Sequence, residues 1–295
     1  MVSPLAAKRM AHERQELEKA SSQEVAPDYF VIFKEDNLFE FDAYIIAPDT
    51  IYRYRLVKLH FEIPQDDYPW KPPRVKFIQH RGHRIHPNLY VEGKVCLSIL
   101  GTWPGEPWAF GMTCHAVLIT IRSLLDDEPY RHEPHQDNSP EFNRFVQYST
   151  WKCLLLDYLA KETDPTAKAW LDRYVQRNGQ EMLRELLKQQ EAANINKHKT
   201  LKSPYSRQQT IDVDYPALIK DLKAAVSAVH QEPDSAKSAS RPPPTLDWER
   251  KPKRKASRRQ DNEPEIKKEE KADKKRAKPS VAAKCPSFPE IIDLT

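Results

Sequence analysis

The chain has 295 residues, 39% of them hydrophobic and 31% charged, with 25 prolines and six glycines, a composition that suits one or two soluble domains plus a solvated segment. No apolar run approaches the roughly 18 residues a bilayer span needs, and Met1 to Lys19 carries charges every few residues in place of an apolar signal core. This excludes a membrane-spanning protein and points to an intracellular one, in which Cys96, Cys114, Cys153 and Cys285, none in a C-x-x-C pair, are expected as reduced thiols.

The net charge of +4 is unevenly placed: residues 231–295 hold 17 Lys+Arg against 12 Asp+Glu, leaving 30 against 31 in the first 230. The same segment has nine prolines and only Trp248 and Phe288 as aromatics, too little apolar surface to offset the entropy of ordering. A charge-balanced globular body and a disordered basic tail are expected.

The first element in chain order is a helix from Ser3 to about Ser21. Leu5, Met10 and Leu17 recur there at helical spacing, and Ser3-Pro4 supplies a cap and a first-turn proline. From Tyr29 to Phe77 short runs rich in Tyr, Ile, Val and Phe are broken at Lys34-Glu35-Asp36-Asn37, Ala47-Pro48-Asp49 and Pro64-Gln65-Asp66-Asp67. They predict four antiparallel strands in a meander: Tyr29 to Phe33, Leu38 to Ile46, Tyr54 to Ile63 and Val75 to Ile78. A stretch without regular pattern comes next, Gln79 to Phe110, and five of the six glycines lie between residues 82 and 111. Loops this long inside compact domains are usually functional. Helical patterns resume at Thr113 to Leu125, Pro140 to Lys161, Pro165 to Asn178, Gln180 to Ala193 and Tyr215 to His230. The fold class is α+β: an N-terminal helix, a four-stranded antiparallel sheet, a long loop, then helices and a disordered C-terminal tail.

Within the loop stand His86-Pro87-Asn88, then Gly93-Lys94-Val95-Cys96-Leu97-Ser98-Ile99-Leu100, then Trp103 and Trp108. A cysteine on extended backbone with a carboxamide eight residues upstream can pair a thiol nucleophile with a donor for an oxyanion, the logic of acyl transfer. Read in isolation, the same residues are a small buried hydrophobe and a turn former.

Together with Tyr68-Pro69-x-Lys71-Pro72-Pro73-x-Val75 upstream, Leu-x-Ile-Leu after Cys96 and the two tryptophans, this stretch resembles the catalytic domain of ubiquitin-conjugating enzymes. The wording from Gly93 to Trp103, with Ser98 where many members have Asp, is especially similar to a subgroup of large conjugating enzymes with a helical extension after the core. The resemblance implies a catalytic core over residues 3–164, a helical extension over 165–230 and the disordered basic tail over 231–295, which ends in a SUMO-interacting-like motif.

Carried across residue by residue, the resemblance implies that Cys96 accepts the C-terminus of ubiquitin, or of another ubiquitin-like modifier, as a thioester from an activating enzyme. Asn88 is implied to hold the loop or to donate to the oxyanion when a lysine amine attacks, with His86 and Pro87 supporting the loop. Asp127-Glu128-Pro129-Tyr130-Arg131-His132-Glu133-Pro134 resembles the family's gate loop, whose acid before a proline aligns with Glu133; His132 is the runner-up. An acid suits that place because a lysine with a pKa of about 10.4 arrives as ammonium and must be oriented and partly desolvated to yield free amine. A ubiquitin ligase is the further implied partner, and no cofactor or metal is required.

The chain departs from the family pattern in three places. Ile51-Tyr52-Arg53-Tyr54-Arg55 stands where Tyr-Glu-Gly-Gly is common, so that turn is built without glycine. Ala109-Phe110 replaces Ser-Pro in a loop the family presents to ligases. His80-Arg81-Gly82-His83-Arg84-Ile85 reads as an insertion before the motif.

Rival readings explain less. His80, His83, His86 and Cys96 lack paired zinc spacing, and Cys96 lacks the local signature of papain-like proteases. Cys114, Cys153, Trp103 and Trp108 read as packing residues. A non-catalytic conjugating-like adaptor that recruits SUMO-modified partners is the alternative from another class, and it leaves Cys96 unexplained.

In the tail, Ile291, Ile292, Asp293 and Leu294 look like a SUMO-interacting motif, an apolar strand with acids that can add to a sheet edge, so SUMO is a further expected partner. Ile266-Lys267-Lys268-Glu269 fits the pattern on which SUMO is attached, making Lys267 a candidate acceptor. Basic clusters at Arg250 to Lys255 and Lys274 to Lys278 read as nuclear localisation signals, giving an expected location in nucleus and cytoplasm. Nucleic-acid binding is the lesser reading, because acids interleave the clusters and stacking aromatics are nearly absent.

Overall fold

The computed structural model describes residues 2–22, 27–193 and 200–231. Ile291, Ile292, Asp293, Leu294 and Lys267 lie outside the described residues. Helix α1, Pro4–Ser21, starts on a first-turn proline after Ser3 and buries Ala6, Met10, Glu13 and Leu17 along one stripe. Leu5, read as part of that stripe, is 42% exposed; Glu13 takes a core place instead. Its carboxylate accepts from the Tyr68 hydroxyl at 2.6 Å and from the Cys114 N–H at 2.8 Å, so the buried acid has polar partners on both oxygens.

Strands β1 (Tyr29–Lys34), β2 (Asn37–Ile46), β3 (Leu56–Glu62) and β4 (Arg74–Ile78) form the expected antiparallel meander in chain order. β3 begins two residues later than read, because Tyr54 adopts a φ of 68°, a left-handed conformation that no strand can continue. The register places Val31, Ala43, Leu59 and Phe77 on one face, and all four are buried. Arg14 of α1 stacks on Phe33 of that face, and His115 of helix α2, Cys114–Leu124, meets Tyr29 at 2.8 Å.

The stretch read as one helix from Pro140 to Lys161 is α3, Pro140–Trp151, then a π-helical turn, Lys152–Leu156, and α4, Asp157–Lys161. Trp151, Cys153, Leu154 and Leu155 are all buried there. Beyond Asp164, whose carboxylate caps the next helix by accepting from the Ala167 N–H, the two expected helices are a single α5, Pro165–Ala192. Gly179, read as a break between them, is a contact residue: a Cβ there would stand 2.7 Å from Cγ2 of Val226 on α6, Tyr215–Gln231. Trp170 of α5 stacks on Phe30 with ring centroids 4.6 Å apart and lies 5.8 Å from the Tyr44 ring. The extension therefore covers the second face of the sheet.

The extension is not all helical. A hairpin, β5 (Thr200–Ser203) and β6 (Ser206–Asp212), lies between α5 and α6. Its sequence carries almost no apolar alternation, and its pairing is supported by burial of Leu201 and Ser203 beside α3.

Helix propensity alone favours alanine over glycine by about 1 kcal/mol, whereas the Val226 clash opposes it. Gly179→Ala is therefore expected to lower the thermal unfolding midpoint, and the same change in a Val226→Ala background to raise it relative to Val226→Ala alone. Calorimetry of the four proteins checks the sign reversal.

Candidate active site

β4 passes into the long loop, whose path is set by backbone pairing. The Phe77 N–H donates to the Gly93 carbonyl at 2.7 Å. Gly93 has a φ of 99°, and a Cβ there would meet Lys76 Cγ at 2.7 Å and the Phe77 carbonyl at 3.0 Å, so the close approach requires glycine. Single-residue bridges join His86 to Leu89, Leu89 to Val95 and Lys76 to Lys94.

Cys96 sits where this pairing ends. Its N–H donates to the Asn88 carbonyl at 2.9 Å, and Asn88 Nδ2 donates back to the Cys96 carbonyl at 2.7 Å. The Thr102 hydroxyl accepts from the Leu97 N–H at 2.9 Å and lies 2.7 Å from the Val95 carbonyl, gripping both neighbours of Cys96. Thr102 was missed by sequence reasoning; its only signal was its place near the end of the Gly93 to Trp103 wording. The Cys96 side chain is 1% exposed and its thiol interacts with the Tyr90 phenol, so it lies on the floor of the loop. Cys114 and Cys153 are core thiols, both raised by burial, Cys153 to about 12.

His86 is buried with both ring nitrogens engaged. The Asn88 N–H donates to Nδ1 at 3.0 Å, so that nitrogen carries no proton, and Nε2 donates to the Leu124 carbonyl at 3.0 Å. This fixes one neutral tautomer. Burial first, then the neighbouring His132, whose ring lies 5.1 Å away, pull the His86 pKa down to about 3. The imidazole is thus a neutral strut between the motif and the end of α2.

His132 closes a 3-10 turn, Pro129–His132, and its Nε2 lies 2.8 Å from Asp126 Oδ2. Glu133 is the next residue, with Oε2 accepting from the Tyr205 hydroxyl at 2.9 Å. Arg84 spans the gap: it donates to the carbonyls of His86 and Pro87 at 3.2 and 2.6 Å. Its guanidinium lies 3.4 Å from the Tyr90 ring centroid and 4.4 Å from that of Tyr205, a cation held by two aromatic faces. Cys96, Asn88, His86, Pro87 and His132 thus gather around one loop, and Glu133 joins them through Tyr205, Arg84 and Tyr90, three residues that no motif marked out. His80 and His83 pack on Tyr158 and Phe145 instead.

Residues 9–144 match the family model described as ubiquitin-conjugating enzyme, a span that contains Asn88, Cys96 and Glu133. Over that stretch the chain is similar to a ubiquitin-conjugating catalytic core. The chain is 36% identical over 157 residues to ubiquitin-conjugating enzyme E2 Z of Danio rerio, covering 50% of this chain and 48% of that protein. It is 36% identical over 146 residues to E2 Z of Homo sapiens, with 46% and 41% covered. A 38% identity over 141 residues to the human dual E2 ubiquitin-conjugating enzyme/E3 ubiquitin-protein ligase BIRC6 covers 45% of this chain and 3% of that protein. The chain spans about half the length, or less, of these relatives.

The low pKa of His86 makes two linked predictions. Unfolded His86 titrates near its ordinary value of about 6.5 and folded His86 near 3, so between those limits the unfolded chain binds the extra proton. Stability falls as pH drops through that window, with His86 contributing roughly 1.4 kcal/mol per pH unit. NMR of the folded protein should show a His86 imidazole that does not titrate from pH 8 down to about 4.5.

Proposed function

We propose that the chain is an active ubiquitin-conjugating enzyme. The Cys96 thiolate attacks the thioester carbonyl of ubiquitin carried by an activating enzyme and expels that enzyme's cysteine thiolate. A lysine amine then attacks the new thioester, the amide forms, Cys96 leaves as thiolate and the nitrogen loses its proton. The observation that carries the reading is the reciprocal pair of bonds between Asn88 and Cys96 inside the matched core. Thiolate nucleophilicity suffices for exchange between thioesters, and the neutral, doubly engaged His86 is not needed as a base. Asn88 supports the loop in the resting state and reorients to donate when an oxyanion develops. Glu133 orients the incoming ammonium, with His132 held aside by Asp126.

A ligase is the expected partner on the face where Trp70, 68% exposed, and Phe110, 43% exposed, lie with ring centroids 4.5 Å apart, a solvent-facing aromatic pair of the kind interfaces use. The tail adds recruitment: Ile291 to Leu294 bind SUMO, Lys267 is an acceptor for it, and the basic clusters bring the protein into the nucleus as well as the cytoplasm.

Incubation with activating enzyme, ATP and ubiquitin, run in parallel with SUMO, is expected to give a reducible ubiquitin band on the wild type. Cys96→Ser should give a band that resists thiols, since an oxyester replaces the thioester, and Cys96→Ala should give none. Normal loading of Cys96→Ala would falsify the assignment. For the tail, NMR titration of SUMO should lose its response when residues 291–295 are removed.

A further inference from the structure

Tyr205 stands in the two-residue turn between β5 and β6 and touches both halves of the site. Its hydroxyl donates to Glu133 Oε2 at 2.9 Å. Its ring meets Tyr130 and Phe142 edge-on at 5.9 and 5.6 Å, and the Arg84 guanidinium lies 4.4 Å from its centroid. The Glu133 N–H donates to the Tyr130 carbonyl at 3.1 Å, so backbone and side chain of the acid are bound to the same aromatic cluster. Burial first, then the Glu133 carboxylate, raise the Tyr205 pKa, keeping the phenol a donor at neutral pH.

We propose that Tyr205 is a positioning residue that completes the lysine-accepting side of the active site by holding the Glu133 carboxylate in one orientation. The inference rests on reading Cys96 as the thioester cysteine and Glu133 as the acid that receives the lysine. A carboxylate has two oxygens. With Oε2 committed to Tyr205, Oε1 is the one presented to an incoming ammonium, and the glutamate does not have to be frozen from its rotamers in the transition state. Without the phenol, a half-buried glutamate on a loop samples several rotamers, and only some of them face the nucleophile. The segment beyond the matched residues is then part of the reaction site, through one side chain on a short hairpin.

Tyr205→Phe removes the hydroxyl and keeps the ring, so the packing with Tyr130, Phe142 and Arg84 remains. The full chain is loaded with ubiquitin by activating enzyme and chased in single turnover with free lysine or with free cysteine, whose thiolate needs no carboxylate to shed an ammonium proton. Tyr205→Phe is expected to load and to discharge to cysteine at wild-type rates, and to discharge to lysine about tenfold more slowly, the effect of losing one charge-assisted hydrogen bond. The loss should appear as a higher lysine concentration at half-maximal rate. Glu133→Gln should slow lysine discharge as well, and adding Tyr205→Phe to it should have no further effect. Lysine discharge by Tyr205→Phe at or above the wild-type rate, or slowing that multiplies with that of Glu133→Gln, overturns the inference while leaving the thioester reading intact. A wild-type chain that loads no modifier overturns both.

Discussion

The Arg55 guanidinium is fully buried, and among the described residues no carboxylate lies within ion-pair distance of it. Burial lowers its pKa to about 9, still above neutrality, so a charge is held in the interior by dipoles and an aromatic face. It donates to the Arg53 carbonyl at 2.5 Å, the Gln147 carbonyl at 2.7 Å and Thr150 Oγ1 at 3.2 Å, and its carbon centre lies 3.8 Å from the Trp151 ring centroid. Desolvating a cation costs several kcal/mol unless its donors are satisfied, so the turn before β3 and helix α3 are fixed in one relation. Trp151 Nε1 donates to Gln189 Oε1 at 2.9 Å, which carries the constraint on to α5.

The rest of the same turn reaches the active site. The buried Tyr52 hydroxyl donates to the Ile85 carbonyl at 2.7 Å, one residue before His86. Thr50 Oγ1 donates to the Leu125 carbonyl, and the Ile51 N–H to Asp127, both at 2.9 Å. The glycine-free segment from Ile51 to Arg55 thus ties the sheet to the long loop at Ile85, to Asp127 and, through Trp151, to α5. A glycine turn could not reproduce the Tyr52 and Arg55 links, because both are made by side chains. The left-handed Tyr54, a conformation that costs a non-glycine residue about 1 kcal/mol, is tolerated because the flanking residues are so well anchored.

Around the nucleophile the chain uses polar groups as struts. His86 is neutral, Asn88 and Thr102 bind backbone, and Arg84 bonds carbonyls while stacked between two rings. Each of these satisfies loop carbonyls and N–H groups that no strand partner reaches. Cys96 is thus placed by rigid surroundings.

Much of this was legible along the chain. The four strands, α1 and α2 are set by apolar periodicity and proline punctuation, and the pairing of Asn88 with Cys96 across the loop follows from their eight-residue spacing, since both signals depend on near neighbours. Leu5, the unbroken α5 and the β5–β6 hairpin were not legible, because exposure on a helix, a glycine facing Val226 and a strand pair of polar residues are settled by what lies opposite in space. The sequence by itself determined which residues can make a nucleophile loop and where the sheet lies. Only the tertiary structure decided that His86 is a neutral strut, that Arg55 binds the turn before β3 to α3, and that Tyr205 sits on Glu133. Each of them depends on at least one partner tens of positions away in the chain, Leu124 for His86, Gln147 and Thr150 for Arg55 and Glu133 for Tyr205, and burial, charge and hydrogen bonding between them exist only once the intervening chain has folded.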